Sequence, residues 1–427
     1  MLSSPYILSN WVRDEHFYGR EELCRMLVES SDRCIALLGT RRIGKTSLLM
    51  RLATQLHPHG LYCDLMRAAG SDSLDETRLI TLIRRQLAAN AAYSPALQEA
   101  RESWEREASS LCGWLEELCW RCEELGLTLT LLWDEAEMLR RLPNSTLMPL
   151  RAILQHSPGL RIILCASKAL ADINERWRDE YVSPFLFGFR SEYITGLSDQ
   201  AAEELILQRG KVRATASTLA TILSWSGKHP FLIQRLCNRL FQGGILRTPG
   251  QGDLVIDAML SDLFRIDVSS LSPSEQHILS MLSQHGALQR SALGQYSDLA
   301  DETLAGFLEG LAQLGLLREE GGLWQVGNQY LATWLRSKPP FNTANITDRA
   351  SLELLDTHQH KEQTQLLSER ERSVLRLVSA GLSNPEIARE LLISLETVKA
   401  HMKHISVKLK SNNRAQAVAR AKELGIL

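Results

Sequence analysis

Gly39-Thr40-Arg41-Arg42-Ile43-Gly44-Lys45-Thr46 is the stretch of this 427-residue chain that decides its fold. It follows the apolar run Cys34 to Leu38 and precedes Ser47 to Leu52, in which apolar residues recur with the period of a helix. A strand, a glycine-rich loop and a helix start, in this order, are the setting in which G-x-x-x-x-G-K-S/T binds phosphate groups. The pattern therefore predicts an α/β fold with a phosphate-binding loop rather than a chance glycine turn.

The residue types in this loop match the chemistry of a phosphate site. Gly39 and Gly44 let the backbone bend so that successive N–H groups point at one anion. The helix that begins near Lys45 adds the positive end of its dipole. Lys45 is expected to act in catalysis by neutralising β and γ phosphate oxygens, and the Thr46 hydroxyl suits a ligand position for Mg²⁺.

A second signal is a pair of acidic residues. Leu127 to Trp133 is a nearly continuous apolar run, typical of a strand buried on both faces, and it ends in Asp134-Glu135. Open α/β sheets bind ligands at the carboxyl ends of their strands. Asp134 is therefore expected to hold Mg²⁺ through water, and Glu135 to orient or deprotonate an attacking water as a catalytic residue. The pair alone would favour a strand ending in acidic surface residues; the phosphate loop decides against that alternative.

Two further segments bring polar residues towards this site. The strand from Arg161 to Ala166 delivers Ser167 and Lys168 to the same end of the sheet, where either can sense the terminal phosphate; a plain turn at the strand end is the alternative. Arg190 precedes a short strand, and an arginine there can neutralise the charge that develops in phosphoryl transfer. Ser167 joins the expected nucleotide site, and Arg190 the expected catalytic residues.

The composition is that of a soluble globular protein, with 44% hydrophobic and 23% charged residues. No run approaches the roughly 20 apolar residues of a membrane span, and the first residues lack the features of a signal peptide. Eight cysteines in so long a chain form no disulfide framework, so we expect a cytoplasmic protein. Cys119 and Cys122 lie three apart on a helix, where two core thiols are favoured over a zinc site.

Beyond Leu197 the pattern becomes wholly helical, and residues 269–336 then have three helices and a hairpin, the order of a winged helix. This segment contains three basic and seven acidic residues. Its expected groove helix, Asp301 to Leu314, has no Lys or Arg. Because phosphate contacts supply most nucleic-acid affinity, we expect a hinge or a protein-contact module rather than a DNA reader.

The net charge of −2 hides an asymmetry. Residues 366–427 contain eleven Lys or Arg and six Asp or Glu, a net charge of +5, whereas the rest of the chain has 37 basic and 44 acidic residues, a net charge of −7. A polar segment, residues 337–366, is predicted to be a linker between the two parts. A basic tail on an acidic body indicates that only the tail binds a polyanion.

The tail is predicted to contain four helices, of which the third has the pattern of a DNA-reading helix. Ser394 caps this helix, and its apolar residues recur at spacings of four, three and four, so they face inward. Rotation by about 100° per residue then places Ala400, Lys403 and His404 outward, with Lys399 on the flank. A small residue between two lysines fits the major groove, where Lys donates to guanine. The pattern favours a helix-turn-helix over a basic bundle that does not bind DNA.

Residues 367–427 resemble the LuxR-type helix-turn-helix throughout, from Leu-Ser-Glu-Arg-Glu-Arg through Gly-Leu-Ser-Asn-Pro-Glu-Ile-Ala to Thr-Val-Lys-Ala-His-Met. In that family the third helix reads double-stranded DNA through positions that match Lys399, Ala400 and Lys403, and the fourth helix commonly mediates dimerisation. The expected DNA-binding residues are Asn384, Thr397, Lys399, Ala400, Lys403 and His404.

Residues 17–335 resemble the signal-transducing AAA+-like ATPases called STAND, especially their archaeal-type branch. The resemblance rests on Tyr18-Gly19-Arg20-Glu21, the loop with Arg41-Arg42, Trp133-Asp134-Glu135 and Gly227-Lys228-His229-Pro230. It implies a five-stranded parallel sheet, a helical lid and a winged helix, with Pro230 on the adenine side of ATP. The expected nucleotide-binding residues are Arg20, Gly39, Thr40, Arg41, Arg42, Ile43, Gly44, Lys45, Thr46, Ser47, Ser167 and Pro230, with ATP and Mg²⁺ as cofactors.

The expected fold class is therefore an α/β P-loop NTPase with a parallel five-stranded sheet, a helical lid and a winged helix, plus an all-α four-helix helix-turn-helix domain. The expected boundaries are 1–197 for the ATPase α/β domain, 198–268 for the lid, 269–336 for the winged helix, 337–366 for the linker and 367–427 for the DNA-binding domain. Large regulators that pair these modules usually carry long helical repeats between them. Here only the linker separates them, so we expect a signal to enter through the ATPase body, through a partner protein or by a route that the sequence does not reveal.

These features predict an ATP-switched transcriptional regulator with slow ATP hydrolysis, which binds DNA through its tail and self-associates through the C-terminal helix or the ATPase domain. The alternative is an ATP-driven oligomeric machine or defence scaffold for which DNA is substrate or anchor. A machine predicts DNA-stimulated turnover without sequence preference, whereas a regulator prefers its site over bulk DNA by roughly 10³-fold or more. The acidic winged helix favours the regulator.

Overall fold

The structure is a computed structural model that describes residues 3–70, 73–106, 110–175, 184–297 and 299–338. In the tail it describes residues 374–375, 377–379, 382–384, 387, 398, 402, 405, 411 and 414–423. The chain divides into two compact units, Met1–Phe341 and Asn342–Leu427. Within the described segments, no helix is both long enough and apolar enough to cross a membrane.

A parallel sheet of five strands forms the centre of the first unit. The strands are β1 (Cys34–Leu38), β2 (Gly60–Asp64), β3 (Leu129–Asp134), β4 (Leu160–Ala166) and β5 (Arg190–Tyr193), in the order β2-β3-β4-β1-β5. Alternate residues of β1 pack into two different apolar clusters, so both faces of the sheet are covered. The near-continuous apolar character of the inner strands follows from this double burial. The predicted five-stranded parallel sheet is confirmed.

Helices and short connections surround this sheet. They are α1 (Glu21–Glu29), α2 (Lys45–Gln55), α3 (Glu76–Ala91), α4 (Pro95–Glu99), α5 (Arg101–Glu105), α6 (Leu111–Glu124), α7 (Asn144–His156) and α8 (Asp172–Glu175). Cys119 and Cys122 on α6 lie in the larger apolar cluster. Burial raises the pKa of their thiols to about 11 and about 12, so both side chains pack as neutral core residues.

The carboxyl ends of the inner strands meet at one edge of the sheet. Because the strands are parallel, Leu38 at the end of β1 lies opposite Ala166 at the end of β4, and Asp64 of β2 lies opposite Asp134 of β3. The chain leaves β1 directly into the glycine-rich loop. This edge is where open α/β sheets bind their ligands.

A helical segment follows the sheet. It contains α9 (Asp199–Leu207), α10 (Ala216–Ser226), α11 (Pro230–Leu240) and the short hairpin of β6 (Phe241–Gln242) and β7 (Ile245–Leu246). Ser198 and Thr215 cap α9 and α10 through their hydroxyl groups. Pro230 occupies the first turn of α11, where its missing N–H leaves no hydrogen bond unmade.

The winged helix follows this lid. The last helix of the lid is α12 (Ala258–Ser269). The elements of the winged helix are α13 (Pro273–His285), β8 (Leu288–Gln289), α14 (Arg290–Ser297), α15 (Asp301–Gln313), β9 (Leu317–Glu320), β10 (Leu323–Val326) and α16 (Gln329–Arg336). The three strands form an antiparallel sheet in the order β8-β10-β9. The predicted hairpin turns at Gly321 and Gly322, which both have positive φ angles. Leu260, Leu263 and Phe264 of α12 pack in the core of the winged helix.

The second unit has its own small apolar core, formed by Val374, Leu375, Val378, Ile387, Val398, Ile405, Ala417 and Ala421. Val398 and Ile405 are buried, in agreement with the inward face predicted for the third tail helix. The last helix described is α17 (Arg414–Glu423). Its Arg414 donates a hydrogen bond of 3.1 Å from Nη1 to the side-chain oxygen of Asn384.

Candidate functional site

The glycine-rich loop connects β1 to α2 at the carboxyl edge of the sheet. Gly44 has a φ of 105°, a conformation that favours glycine. A Cβ on Gly39 would lie 3.0 Å from Ile43 Cγ2 and 3.1 Å from the Ile194 carbonyl oxygen, so a side chain at this position would crowd its neighbours. Lys45 Nζ donates to the carbonyl oxygens of Gly39 and Thr40, each at 3.0 Å. These contacts hold the ammonium group over the loop, where phosphate oxygens can replace the two carbonyl groups.

The predicted magnesium ligands are in direct contact. Thr46 Oγ1 donates to Asp134 Oδ2 at 2.6 Å, and the Tyr62 hydroxyl donates to the same oxygen at 3.3 Å. Asp134 is 3% exposed, and burial raises the pKa of its carboxyl group against the opposing effect of these hydrogen bonds. A hydroxyl and a carboxylate at the head of the phosphate loop are the hard oxygen donors that Mg²⁺ prefers. The donor set therefore fits a magnesium ion.

Glu135 has an uncommon backbone conformation. It is a non-glycine residue with a φ of 52°, a conformation that usually carries strain. Burial raises the pKa of its carboxyl group, Glu137 and Asp134 raise it further, and Lys45 and Arg41 oppose the rise. A carboxylate with a raised pKa beside the phosphate loop suits the role of a base or a water-orienting group.

A cavity of about 530 Å³ lies in front of these residues. This volume is within the range of small-molecule sites. The predicted residues that line it are Arg41, Arg42, Gly44, Lys45, Thr46, Ser47, Glu135 and Pro230. The cavity thus brings together the loop, the acidic strand end and the first turn of α11, as the sequence predicts.

The N-terminal segment Ile7–Val12 also lines the cavity, and the sequence analysis missed it. Its backbone is tied to the lid and to the loop helix. Ile7 N donates to Gln234 Oε1 at 2.7 Å, and Val12 N donates to Ser47 Oγ at 3.0 Å. The apolar residues and the tryptophan of this segment are the signal that it packs against something, but they do not indicate a nucleotide.

The remaining residues predicted to bind the nucleotide lie in or beside the loop but do not line the cavity of about 530 Å³. Arg20 donates to the carbonyl oxygen of Thr195, and it lines a smaller neighbouring cavity together with Ile43. Gly39, Thr40 and Ser167 line a narrow crevice beside the loop. The Ser167 hydroxyl donates to Glu137 Oε1 at 2.8 Å. Lys168, the other candidate at this strand end, forms an ion pair with Glu275 of α13.

The structure contradicts the expected catalytic role of Arg190 at the loop of its own chain. Arg190 is opposite Ile35 near the start of β1, whereas the loop follows the end of β1. Its guanidinium group pairs with Asp32 at 2.7 Å and with Glu192 at 3.1 Å. Because β5 runs parallel to β1, its first residue lies at the amino edge of the sheet, away from the phosphate site. An arginine at the amino edge does not support the catalytic role expected for it at the loop of its own chain.

Asn384 is the one expected DNA-binding residue that lies among the described residues, where its side chain accepts the hydrogen bond from Arg414. The other expected DNA-binding residues lie outside the described part of the chain. They are Thr397, Lys399, Ala400, Lys403 and His404.

Two family profiles match this chain. The family described as "AAA domain" matches residues 28–173, and the family described as "Bacterial regulatory proteins, luxR family" matches residues 365–421. Both matches fall where the sequence predicts a P-loop ATPase and a LuxR-type helix-turn-helix. In fold, the chain is similar to the Walker-type ATPase of Pyrococcus abyssi, with a TM-score of 0.53 and 20% identity over 77% of this chain and 99% of that chain.

Curated relatives match over shorter segments. The HTH-type transcriptional regulator AlkS of Alcanivorax borkumensis is 49% identical over 55 residues, which are 13% of this chain and 6% of that protein. The nitrate/nitrite response regulator protein NarL of Escherichia coli is 47% identical over 51 residues, 12% of this chain and 24% of NarL. The HTH-type transcriptional regulator MalT of Vibrio campbellii is 32% identical over 125 residues, 29% of this chain and 13% of MalT. The chain thus spans less than a quarter of the length of each of these relatives.

Proposed function

We propose that this chain, which joins an AAA-type P-loop ATPase domain to a luxR-family domain, is a transcriptional regulator whose DNA binding is switched by ATP. The observation that carries the proposal is the cavity at the phosphate loop. It is lined both by the loop and by Pro230 and Phe231 of the lid. An occupant of this cavity touches two parts of the first unit at once, so it can favour one arrangement of them over another.

The residues of the site have separate tasks in the proposed function. The loop N–H groups and Lys45 bind the phosphate oxygens, and Thr46 and Asp134 hold a magnesium ion. Bound Mg²⁺ supplies positive charge that neutralises the β and γ oxygens. Glu135 orients an attacking water and takes up its proton, and Pro230 contacts the base. We expect slow hydrolysis, because the nucleotide serves to set the state of the switch.

The luxR-family domain provides the DNA-binding half of the proposal. Two curated relatives of the chain are named as a transcriptional regulator and a response regulator. We propose that Thr397, Lys399, Ala400 and Lys403 lie at the DNA, and that pairing through the last helix lets two copies bind adjacent half-sites. Such pairing favours a pseudo-palindromic site.

The test is DNA selection followed by affinity measurements on the full-length chain, with ATP, with ADP and without nucleotide. We expect the affinity for the selected site to differ by at least about tenfold, or ~1.4 kcal/mol, between two of these conditions. Lys45→Ala is expected to abolish the difference. Lys211→Ala, which removes a lysine that is 70% exposed, is the matched control and is expected to retain it. Equal DNA affinity of the wild type under all three conditions would refute the proposed switch.

An ATP-driven machine that uses DNA as substrate is the competing function. Asp301, Glu302 and Glu309 on α15 are all exposed, so the groove helix of the winged module presents acidic side chains. This surface is unfavourable for phosphate contacts. DNA-stimulated ATP turnover without sequence preference would support the machine over the regulator.

A further inference from the structure

A carboxylate from α12 already contacts the phosphate loop. Both side-chain oxygens of Asp267 accept a hydrogen bond from the backbone N–H of Arg41, at 3.2 and 3.3 Å. Asp267 is 226 residues away in sequence and is 7% exposed. Backbone N–H groups of this loop are the donors that bind phosphate oxygens. The negatively charged side chain of Asp267 therefore accepts from an N–H group that could otherwise bind an anionic ligand.

The backbone of the same loop residue, Arg41, is also held from the lid. His229 Nε2 lies 3.3 Å from the Arg41 carbonyl oxygen. A carbonyl oxygen only accepts, so this nitrogen carries the proton. Burial lowers the pKa of His229 to about 4, which leaves the imidazole neutral at neutral pH. The loop at Arg41 is thus fixed from both the lid and α12, and Asp267 is the charged member of these two contacts.

Among the residues that the structure describes, none forms a direct ion pair with Asp267. Arg41 and Lys45 attract its carboxylate at longer range, and Glu137 repels it. Lys168, which lines the same crevice, is paired with Glu275. Burial is the main cause that raises the pKa of Asp267, to about 6. At neutral pH the side chain is therefore mostly an anion at the edge of the phosphate site.

Little space remains on this side of the loop. The crevice between Gly39-Thr40 and the segment from Asp267 to Leu271 has a volume of about 10 Å³. One water molecule requires about 10–15 Å³ of such volume. A phosphate group therefore has no place there while α12 stays where it is.

We propose that Asp267 makes the site discriminate between nucleoside diphosphates and triphosphates by repelling the third phosphate. The lysine of this loop type reaches the β and γ phosphates, so a γ-phosphate beside Lys45 comes close to the carboxylate of Asp267. A diphosphate is accepted with α12 in place, whereas a triphosphate displaces Asp267 from the Arg41 N–H. This inference rests on the proposed nucleotide binding, and it names Asp267 as the residue that distinguishes a diphosphate from a triphosphate.

The position of Asp267 connects this discrimination to the winged helix. α12 ends at Ser269, and α13 begins four residues later at Pro273. Glu275 in the first turn of α13 forms a capping box with Ser272 and an ion pair with Lys168 at the end of β4. A displacement of α12 therefore acts on the start of the winged helix and on its second anchor to the sheet.

The test is calorimetry of the full-length chain with ADP and with a non-hydrolysable ATP analogue, both with Mg²⁺. We expect the wild type to prefer the diphosphate by roughly tenfold or more, since like charges close together in a partly buried site repel by at least that factor. Asp267→Asn keeps an oxygen that can accept from Arg41 N and removes the charge. It is expected to raise the affinity for the triphosphate by about tenfold and to leave the affinity for the diphosphate within about threefold.

Asp262→Asn is the matched control, because Asp262 lies on the exposed face of the same helix, paired with Arg265. It is expected to leave the ratio of the two affinities unchanged. Asp267→Ser serves as a second neutral variant, and its diphosphate affinity reports whether the site is intact. If both neutral variants leave the ratio unchanged while nucleotide still binds, the inference fails and the proposed switch stands. If the wild type binds neither nucleotide, both fail.

Discussion

The phosphate loop has a buried aspartate on each of two sides, and the two have opposite consequences for a nucleotide. Asp134, 3% exposed, accepts a hydrogen bond from the Thr46 hydroxyl, and the two oxygen atoms can share a metal ion. Asp267, 7% exposed, accepts from a backbone N–H that suits a phosphate oxygen. Burial raises the pKa of both carboxyl groups. An aspartate beside the Thr46 hydroxyl can favour a nucleotide by sharing its metal ion. An aspartate on the Arg41 N–H instead opposes the nucleotide, because it takes a donor that a phosphate oxygen could use.

The largest effect on nucleotide binding and turnover is expected from a substitution of Asp134 at the end of β3. Asp134→Asn keeps the shape of the side chain and removes the negative charge that we propose as the ligand of Mg²⁺. We expect the gain in triphosphate affinity on addition of Mg²⁺ to be lost, and any ATP turnover to fall by about 100-fold, the usual effect of removing one preorganised electrostatic contact. Calorimetry with Mg²⁺ or with a chelator, and a phosphate-release assay, measure the two effects.

Asp64→Asn is the matched control for this change. Asp64 lies opposite Asp134 at the end of the neighbouring strand, and its side chain accepts from the N–H of Met66. The control is expected to keep the response to Mg²⁺. An equal loss in both variants would mean that the general negative charge of this edge, rather than the contact between Thr46 and Asp134, holds the metal.

The contrast between the two aspartates also marks what the sequence can predict. The loop and Asp134-Glu135 are local patterns next to apolar strands, so their place at the carboxyl edge follows from the strands alone. Asp267 contacts the loop across 226 residues, and nothing in the local sequence of α12 indicates that contact. The N-terminal segment was missed for the same reason, since its position depends on hydrogen bonds to Gln234 and Ser47.

Arg190 shows a different kind of error. The residue type and the nearby strand were correctly recognised, but the side of the sheet depends on the direction and register of β5 against β1. That register places Arg190 opposite Ile35, and a short strand of mixed polarity does not encode it. The roles of Lys399, Ala400 and Lys403 at DNA remain predictions, because these residues lie outside the described part of the chain.

A second, smaller effect is expected from the pH dependence of stability. Burial raises the pKa of Asp267 from its ordinary value of 3.8 to about 6. Between these values the folded chain binds a proton that the unfolded chain does not, so this contribution to stability is present below pH 3.8 and is lost as the pH rises through about 6. Asp267→Asn does not titrate. From pH 5 to pH 7.5, its free energy of unfolding relative to that of the wild type is expected to rise by about 1–2 kcal/mol.

Urea unfolding of both proteins at the two pH values measures this change. Asp262→Asn again serves as the control, because Asp262 is exposed and paired with Arg265. A difference between wild type and Asp267→Asn that is the same at both pH values would show that Asp267 is not a buried, uncompensated anion. The repulsion assigned to it would then lose its physical basis.

The smallest effect is expected at the second anchor of the winged helix. In the ion pair of Lys168 with Glu275, the lysine side chain is 29% exposed and that of Glu275 is 6% exposed. Lys168→Met leaves Glu275 buried without its cation, but Ser272 still donates to it from its N–H and hydroxyl groups. We therefore expect a loss of about 1 kcal/mol in the free energy of unfolding, below the ~3–5 kcal/mol of a fully buried pair.

Lys228→Met is the matched control for this last change, since Lys228 forms a more exposed pair with Asp199 at 2.9 Å. Exposed pairs contribute about 0–1 kcal/mol, so the control is expected to lose less than Lys168→Met. If the winged helix is held to the sheet by charge at both Asp267 and Glu275, Lys168→Met should also weaken the preference for diphosphate, because α12 is then displaced more easily. Equal losses in the two lysine variants, with the nucleotide preference unchanged, would show that the ion pair of Lys168 with Glu275 does not support the preference for diphosphate.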